Sequence, residues 1–342
     1  MLKSQLLRLL HLPGVTAPFE RLTRGRAAVL MLHRFRVPDL GIDGHEPAVV
    51  RRALEYLRRQ RYELLPLREI FDRLANGREL RRAVGFTMDD GYFDQASVAG
   101  PIFAEFDCPV TTFVTTGFLD GRLWLWWDRI EYAFRRCRRS SIQLRIEDRA
   151  VELKWDHPAE RDRVQARFTE SCKQLPEEHK LEVLEQLGLA CDVEIPHRPP
   201  PEYAPMSWDM LRACEGRGMS FGPHTVTHPI LTRTSDDQSH RELAEGWSRL
   251  LECAARPLPI FCYPNGRSQD FGDREVRTLR ELGLLGAVVG EPGYAEFPVG
   301  ESGDGARFRQ KRFSFPEGLP ELIQYVSGLE WLKSRLRGES VA

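Results

Sequence analysis

The sequence predicts an α/β fold built on a parallel sheet and interrupted by an inserted subdomain. Continuous apolar runs of strand length alternate with amphipathic helical stretches, as a parallel sheet requires when each crossover is a helix. Polar, chemistry-bearing residues gather where these runs end, and the alternation breaks between residues 117 and 204. Hydrophobic residues make up 42% of the 342 positions, enough for a sizeable core. A formal net charge of −1 implies no bulk attraction to nucleic acid or to an anionic membrane. Clustered positive charge at Arg135, Arg136, Arg138 and Arg139 reads as a solvated helix end. The seven cysteines are scattered and form no Cys-x-x-Cys pair, which argues against a disulfide framework and a thiolate zinc site.

The first apolar run, within Met1 to Pro13, is broken by Arg8 and followed by no small-residue cleavage site. Residues 1–24 therefore read as an amphipathic segment and not a signal peptide. No stretch approaches the ~18 apolar residues of a membrane span, and a cytoplasmic setting is the expectation. Ala27 to Leu32 is a buried strand with His33 at its C-terminal end, either a site residue or a hydrogen-bonded structural histidine. His45 reads as a capping or turn residue. Amphipathic helices are expected from Pro47 to Arg61 and from Leu67 to Ala75, the second closed by Asn76-Gly77. The strand that follows ends in Asp89-Asp90-Gly91. A simple Asp-Gly turn explains Asp90 but not Asp89, and adjacent carboxylates repel unless a cation neutralises one. A helix from Ala96 to Phe106 and a β-branched strand from Cys108 to Thr115 complete a strand-helix-strand unit.

Trp124, Trp126 and Trp127 introduce the change of pattern, with short β-like runs from Ile142 to Leu153 and helices from Glu160 to Gln174 and Glu177 to Leu187. The proline-rich Ile195 to Pro201 closes it. The segment reads as an inserted α+β subdomain without a convergent polar constellation, its tryptophans core residues or faces for sugar rings. Ser207 then caps a helix to about Arg217, and a strand Gly218 to Phe221 delivers His224 and His228. A helix from Ser239 to Ala254, a strand Ile260 to Tyr263 ending in Pro264-Asn265-Gly266, a helix Arg274 to Leu282 and a strand Gly286 to Val289 follow. A loop Gly300 to Gly305, a last strand Arg307 to Phe315 containing Arg312, and a helix Pro320 to Arg337 end the chain. The expected organisation is a barrel over 25–117 and 205–316, an insertion over 118–204 and a C-terminal helix over 317–342.

Histidines four apart share one helical face, from which two ring nitrogens can reach one ion, although a solvated turn gives the same spacing. With a carboxylate from the Asp89-Asp90 pair they form an Asp-His-His set that suits zinc or another first-row divalent metal and leaves positions for water and substrate. If Asp90 coordinates the ion, Asp89 is free to act as general base.

Thr87-Met88-Asp89-Asp90-Gly91-Tyr92 and His224-Thr225-Val226-Thr227-His228 resemble two signatures of the polysaccharide deacetylases with a NodB homology domain, carbohydrate esterase family 4. The resemblance covers residues ~25–316 apart from the insertion. It implies a distorted (β/α) barrel of about seven strands, Asp89 as general base, and Asp90, His224 and His228 as metal ligands. Tyr263-Pro264-Asn265-Gly266 looks like the third motif, whose backbone amide at Asn265 would help hold the oxyanion; Tyr92, Tyr263, Pro264, Asn265 and Trp127 are the expected substrate contacts. Two positions depart from the pattern. Cys262 stands where the family has the arginine that orients the base, and Arg312 is the expected replacement. No histidine follows His240, so the family's late Leu-x-His motif is absent and His33 or Asp89 is the expected proton donor.

The chain also resembles the deacetylases encoded with exopolysaccharide machinery, with their Tyr-Pro-x-Gly third motif and a histidine like His33. The expected activity is removal of an N-acetyl group from a polysaccharide or its biosynthetic intermediate, with possible peripheral association with that machinery. An amidase acting on a non-carbohydrate amide and a silent glycan-binding barrel are the alternatives.

Overall fold

The computed structural model describes residues 21–146, 149–297 and 303–336. Most of the expected N-terminal amphipathic segment and part of the expected loop Gly300 to Gly305 lie outside them. The strands are β1 (Arg26–Leu32), β2 (Glu63–Leu64), β3 (Ala83–Met88), β4 (Val110–Val114), β5 (Ser141–Ile146), β6 (Arg149–Lys154), β7 (Met219–Pro223), β8 (Ile260–Cys262), β9 (Gly286–Val288), β10 (Ala295–Glu296) and β11 (Phe313–Ser314).

Every residue of β3 and β4 is buried, because helices cover one face of the sheet and the opposite strands cover the other. β1, β3, β4 and β7 run parallel side by side. At β7 the ladder narrows to a single junction, where the Leu258 N–H donates to Phe221 O at 2.7 Å before the parallel pair β8–β9. A second narrow junction joins Val288 to Gln310, and β11 returns to pair with β1 through Leu30 and Phe313. Seven strands thus close a distorted (β/α) barrel whose strand ends share one mouth. β10 adds an antiparallel edge to β1.

The segment from Trp126 to Cys191 packs around a cluster of its own, in which Ile130, Phe134, Leu144, Trp155, Phe168 and Leu184 are buried. Ile142 and Leu144 alternate with exposed neighbours along β5, so the β5–β6 hairpin presents one apolar face to the helices Trp126–Arg136, Pro158–Cys172 and Glu177–Cys191. Among the described residues no helix is long and apolar enough to cross a membrane.

Several local expectations change. His224 and His228 lie in a loop after β7 and not on a helical face; Thr225 and His228 adopt left-handed φ values of 66° and 60°. The last strand shrinks to Phe313–Ser314, with Arg312 immediately before it, because Gly303–Ala306 forms a helical turn and only Gln310 bridges to β9. The expected C-terminal helix divides into Leu319–Val326 and Leu329–Leu336 at Gly328, whose φ is 86°. A π-turn over Gln95–Ala99 precedes the helix Gly100–Glu105. His45 caps no helix: its backbone pairs with Arg34 and Arg36, and its ring packs edge-on against Phe35 and Phe315. Ser207 does cap its helix, its Oγ accepting from the Met210 N–H at 3.1 Å.

A Cβ on Gly222 in β7 would come within 2.6 Å of Ile260 O and 2.8 Å of the Phe113 ring, at the narrow junction of β7 with β8. Gly222→Val is therefore expected to cost roughly 1–3 kcal/mol, read as a lowered denaturation midpoint.

Candidate active site

The chain leaves β3 still paired, with the Asp89 N–H donating to Leu32 O of β1 at 3.2 Å. Arg312 meets the Asp89 carboxylate with two parallel bonds, Nη1 to Oδ1 at 2.7 Å and Nη2 to Oδ2 at 2.8 Å. The guanidinium also donates to Val289 O, Thr87 Oγ1 and Cys262 Sγ, so each of its nitrogens is used although the side chain is buried. Burial alone raises the Asp89 carboxyl, but Arg312 outweighs it and holds the group well below the usual carboxylate range. Asp89 is an ionised carboxylate with both oxygens oriented by Arg312. Cys262 leaves room for this arrangement, since its small thiol lies beside the pair.

Asp90 takes a φ of 85° and Gly91 one of 95°, and this turn aims the two neighbouring carboxylates at different partners. A Cβ on Gly91 would meet Leu119 at 2.6 Å. Asp90 Oδ1 lies 3.6 Å from His224 Nε2 and 3.5 Å from His228 Nε2. These separations exceed a hydrogen bond, whereas donors 2.0–2.1 Å from a tetrahedral ion are about 3.3 Å apart. Burial and the charge of Asp89 push the Asp90 carboxyl well up, a cost that a cation would remove. Burial pushes His224 down to about 4 and His228 well below its usual value, so both rings are neutral, as ligation requires. His224 Nδ1 lies 2.7 Å from Cys262 O, which fixes its Nε2 towards Asp90. The residues therefore fit a divalent ion. Asp89, His224 and Cys262 form a second possible group, but Arg312 occupies both oxygens of Asp89 and burial keeps the Cys262 thiol protonated.

The histidine loop is held from two directions. Its backbone bonds to the end of β4 and the turn after it through His224 N to Val114 O, Thr116 N to Thr225 O and Gly117 N to Val226 O. Glu242, from the helix Asp236–Cys253, accepts the Val226 and Thr227 N–H groups at 2.9 Å each and the Thr227 hydroxyl at 2.6 Å. The Thr225 hydroxyl accepts the His228 N–H at 3.0 Å. These bonds hold two non-glycine residues in the left-handed region.

Around this centre is a cleft of about 520 Å³. His33 lines it, half exposed, with Nε2 3.9 Å from Asp89 Oδ2. Tyr92 is buried at its wall, where its hydroxyl donates to Asp128 Oδ2 at 2.8 Å and accepts from Trp127 Nε1 at 3.0 Å; Arg34 lies 3.9 Å over its ring. Trp127 also stands edge-on to His228 at 4.5 Å between centroids. Asn265 reaches the cleft in a left-handed turn, φ 61°, with its side-chain amide donating to Asp270 at 2.7 Å. Tyr263 lines the cleft too, but its ring is stacked on Phe271 at 3.7 Å. Pro264 is buried and is not among the residues that line the cleft.

The insertion walls this cleft with Trp126, Trp127, Asp128, Glu131, Arg135, Thr169 and Lys173. Arg135 bonds to Asp43 at 3.1 Å, and Arg233 donates to Gln174 at 2.7 Å, tying the insertion to loops of the barrel. The expectation that it carries no polar constellation is therefore corrected: Asp128 stands in the cleft. In the sequence Asp128 looked like an ordinary acid in a helix's first turn, and its place behind two tryptophans was the available signal. Arg34, paired with Asp94 at 2.9 Å, and Gln95, which donates to His33 O at 2.6 Å, also went unread. Glu242 carried no local signal, being one acid among several on an exposed helix.

The sequence model of the family described as polysaccharide deacetylase matches residues 193–286, which contain His224, His228 and the Tyr263 to Gly266 turn but not Asp89 or Asp90. No curated protein matches the chain. Among solved structures, the Streptococcus pyogenes deacetylase PplD in complex with acetate aligns over 88% of this chain and 98% of its own, with a TM-score of 0.56 and 18% identity. IcaB from Ammonifex degensii aligns over 89% and 97%, with a TM-score of 0.54 and 16% identity. The BpsB deacetylase domain from Bordetella bronchiseptica aligns over 85% and 96%, with a TM-score of 0.50 and 15% identity. The resemblance to polysaccharide deacetylases read in the motifs is borne out by the family match in sequence and by these neighbours in fold.

Arg312→Met is expected to lower stability by ~3–5 kcal/mol in denaturant unfolding, with Asp89→Asn in the same chain recovering much of it. The folded Asp89 carboxyl lies below its unfolded value of about 3.9, so the pair contributes fully above that pH. The difference between wild type and Arg312→Met should shrink as pH falls through the folded value. Glu242→Ala should speed amide exchange at Val226 and Thr227 by about 10–100-fold, the equivalent of ~1.5–3 kcal/mol for charged hydrogen bonds.

Proposed function

We propose that this chain is a metal-dependent carbohydrate N-deacetylase that hydrolyses the N-acetyl group of a sugar in a polysaccharide or its biosynthetic intermediate. The observation that carries the reading is the pairing of two unlike carboxylates. Asp90 faces His224 and His228 at ligand spacing, while Asp89 beside it is ionised and held by Arg312. Zinc or another first-row divalent ion would be held by Asp90, His224 and His228. When bound, it would lower the pKa of water and polarise the acetyl carbonyl.

Asp89 accepts the proton of the attacking water as general base, and Arg312 keeps both of its oxygens oriented for this. Arg312 thereby takes over, from the residue just before β11, the part for which Cys262 is unsuited. The backbone amide of Asn265, a cleft-lining residue with left-handed φ, is the group that would donate to the oxygen that gains charge. Tyr263 and Pro264 support that turn from beneath, Tyr263 through its stack on Phe271. Tyr92 and Trp127 shape the wall against which a sugar ring lies, with His33 at the rim beside Asp89.

The test is metal content together with acetate release from N-acetylglucosamine oligomers and other acetylated glycans. Wild type should bind about one divalent ion and release acetate. Asp89→Asn should keep the ion and lose about 10²–10⁴-fold in turnover, whereas His224→Ala should lose both. Bound metal without acetate from any glycan would favour a non-carbohydrate amide or a binding barrel, and absence of metal binding would overturn the reading.

A further inference from the structure

Hydrolysis of an amide expels its nitrogen only after that nitrogen has gained a proton, and the donor must lie in the cleft with a proton to give. Most cleft groups are unsuited. Asp89 is ionised against Arg312, and His224 and His228 face Asp90. Lys173 is paired with Glu170. Burial and the charge of Asp128 push the Tyr92 hydroxyl well above its usual value.

Resting on the deacetylase reading, we propose that Asp128 is the general acid that protonates the leaving amine nitrogen. Asp128 occupies the first turn of the helix Trp126–Arg136, lines the cleft and is 3% exposed. Its Oδ2 accepts the Tyr92 hydroxyl at 2.8 Å, and no other side chain among the described residues hydrogen-bonds to the carboxyl. The neighbouring Trp127 bonds to the same hydroxyl and packs on His228, so Tyr92 and Trp127 connect Asp128 to the candidate ligand set. His33 instead lies 3.9 Å from Asp89, the carboxylate that receives the water's proton.

The charged and titratable groups facing Asp128 are Arg34, Tyr92, Asp90, Asp94, Glu131 and Tyr203. Burial outweighs the pull of Arg34 and the Tyr92 hydrogen bond and leaves its carboxyl raised to about 8, so it holds its proton at neutral pH. A divalent ion at Asp90 draws it further down, towards the operating pH at which an acid works best. Asp89 and Asp128, both lining the cleft, are thus driven to opposite protonation states, the pattern of an acid and a base.

In the step itself, the C–N bond breaks with its electron pair on nitrogen, and the Asp128 proton forms the new N–H bond. Asp128 is left as a carboxylate that accepts from Tyr92 and faces Arg34, while Asp89 holds the proton taken from water. Return of the Asp89 proton to Asp128 through solvent resets the site, and the sum is amide plus water to acetic acid and amine, which leave at neutral pH as acetate and the protonated amine.

Asp128→Asn keeps an acceptor for Tyr92 and removes the acid. In the metal-loaded full chain it should lower kcat on an N-acetylated saccharide by about 10²–10⁴-fold with KM little changed, and it should flatten the alkaline limb of the pH profile. Hydrolysis of an aryl acetate, whose phenolate leaves unaided, should fall far less, and Asp128→Glu should restore part of the amide turnover. The role is overturned if Asp128→Asn keeps amide turnover, if amide and ester fall together, or if His33→Ala shows the selective loss instead. Wild type that releases no acetate from any saccharide overturns the deacetylase reading and this role with it; competent wild type with an unimpaired Asp128→Asn overturns the role alone.

Discussion

The buried ion pair between Asp89 and Arg312 ties together parts of the chain 223 positions apart. Asp89 stands at the end of β3 and Arg312 just before β11, the short strand that returns to β1 and closes the barrel. A charge in the interior is tolerable only when every polar atom has a partner, and the guanidinium meets that condition with Asp89, Thr87, Val289 and Cys262. Closure of the barrel and orientation of the proposed base are therefore one event. The thin junctions on either side of β8–β9 make that tie more consequential, since few ladder bonds hold the barrel there.

With Asp89 neutralised by an internal cation, its neighbour Asp90 is left to face two neutral imidazoles. The left-handed backbone at Asp90 separates the two carboxylates, and the bonds from Glu242 and Thr225 fix the histidine loop opposite. An ordinary repulsive pair becomes two groups with different chemistry because one has an arginine and the other a set of donors at ligand spacing. Glu242 touches none of the proposed ligands, yet it holds the backbone between the two histidines.

The insertion has its own apolar cluster, but it also forms one wall of the cleft. Trp126 and Trp127 illustrate the division. The Lys180 ammonium lies 4.7 Å over the Trp126 ring inside the insertion, while Trp127 turns its indole N–H to Tyr92 and its edge to His228. Asp128 follows them into a buried position that raises its carboxyl, a consequence of packing the insertion against β3 and the loop after it.

Much of the site was legible because its signals are local. Apolar runs that stop at carboxylates, histidines or Asn-Gly mark strand ends, and Asp89, Asp90, His224, His228 and Asn265 stand where those runs predicted. Arg312 was legible only through the resemblance, whose pattern has an arginine where Cys262 stands. The four-residue spacing of the histidines misled, because a helical face and a loop with two left-handed residues present the same spacing in one dimension. Tyr263 lines the cleft with its ring stacked on Phe271 and Pro264 is buried, a placement the motif does not reveal. Asp128, Arg34 and Glu242 were illegible, since each acquires its meaning from partners tens to hundreds of positions away. By itself the sequence determined the alternating strands and helices and the identity of the strand-end groups, which depend on neighbours in the chain. Only the tertiary structure decided how the barrel closes, which carboxylate is ionised and which retains its proton, because burial and charge pairing are properties of the assembled interior.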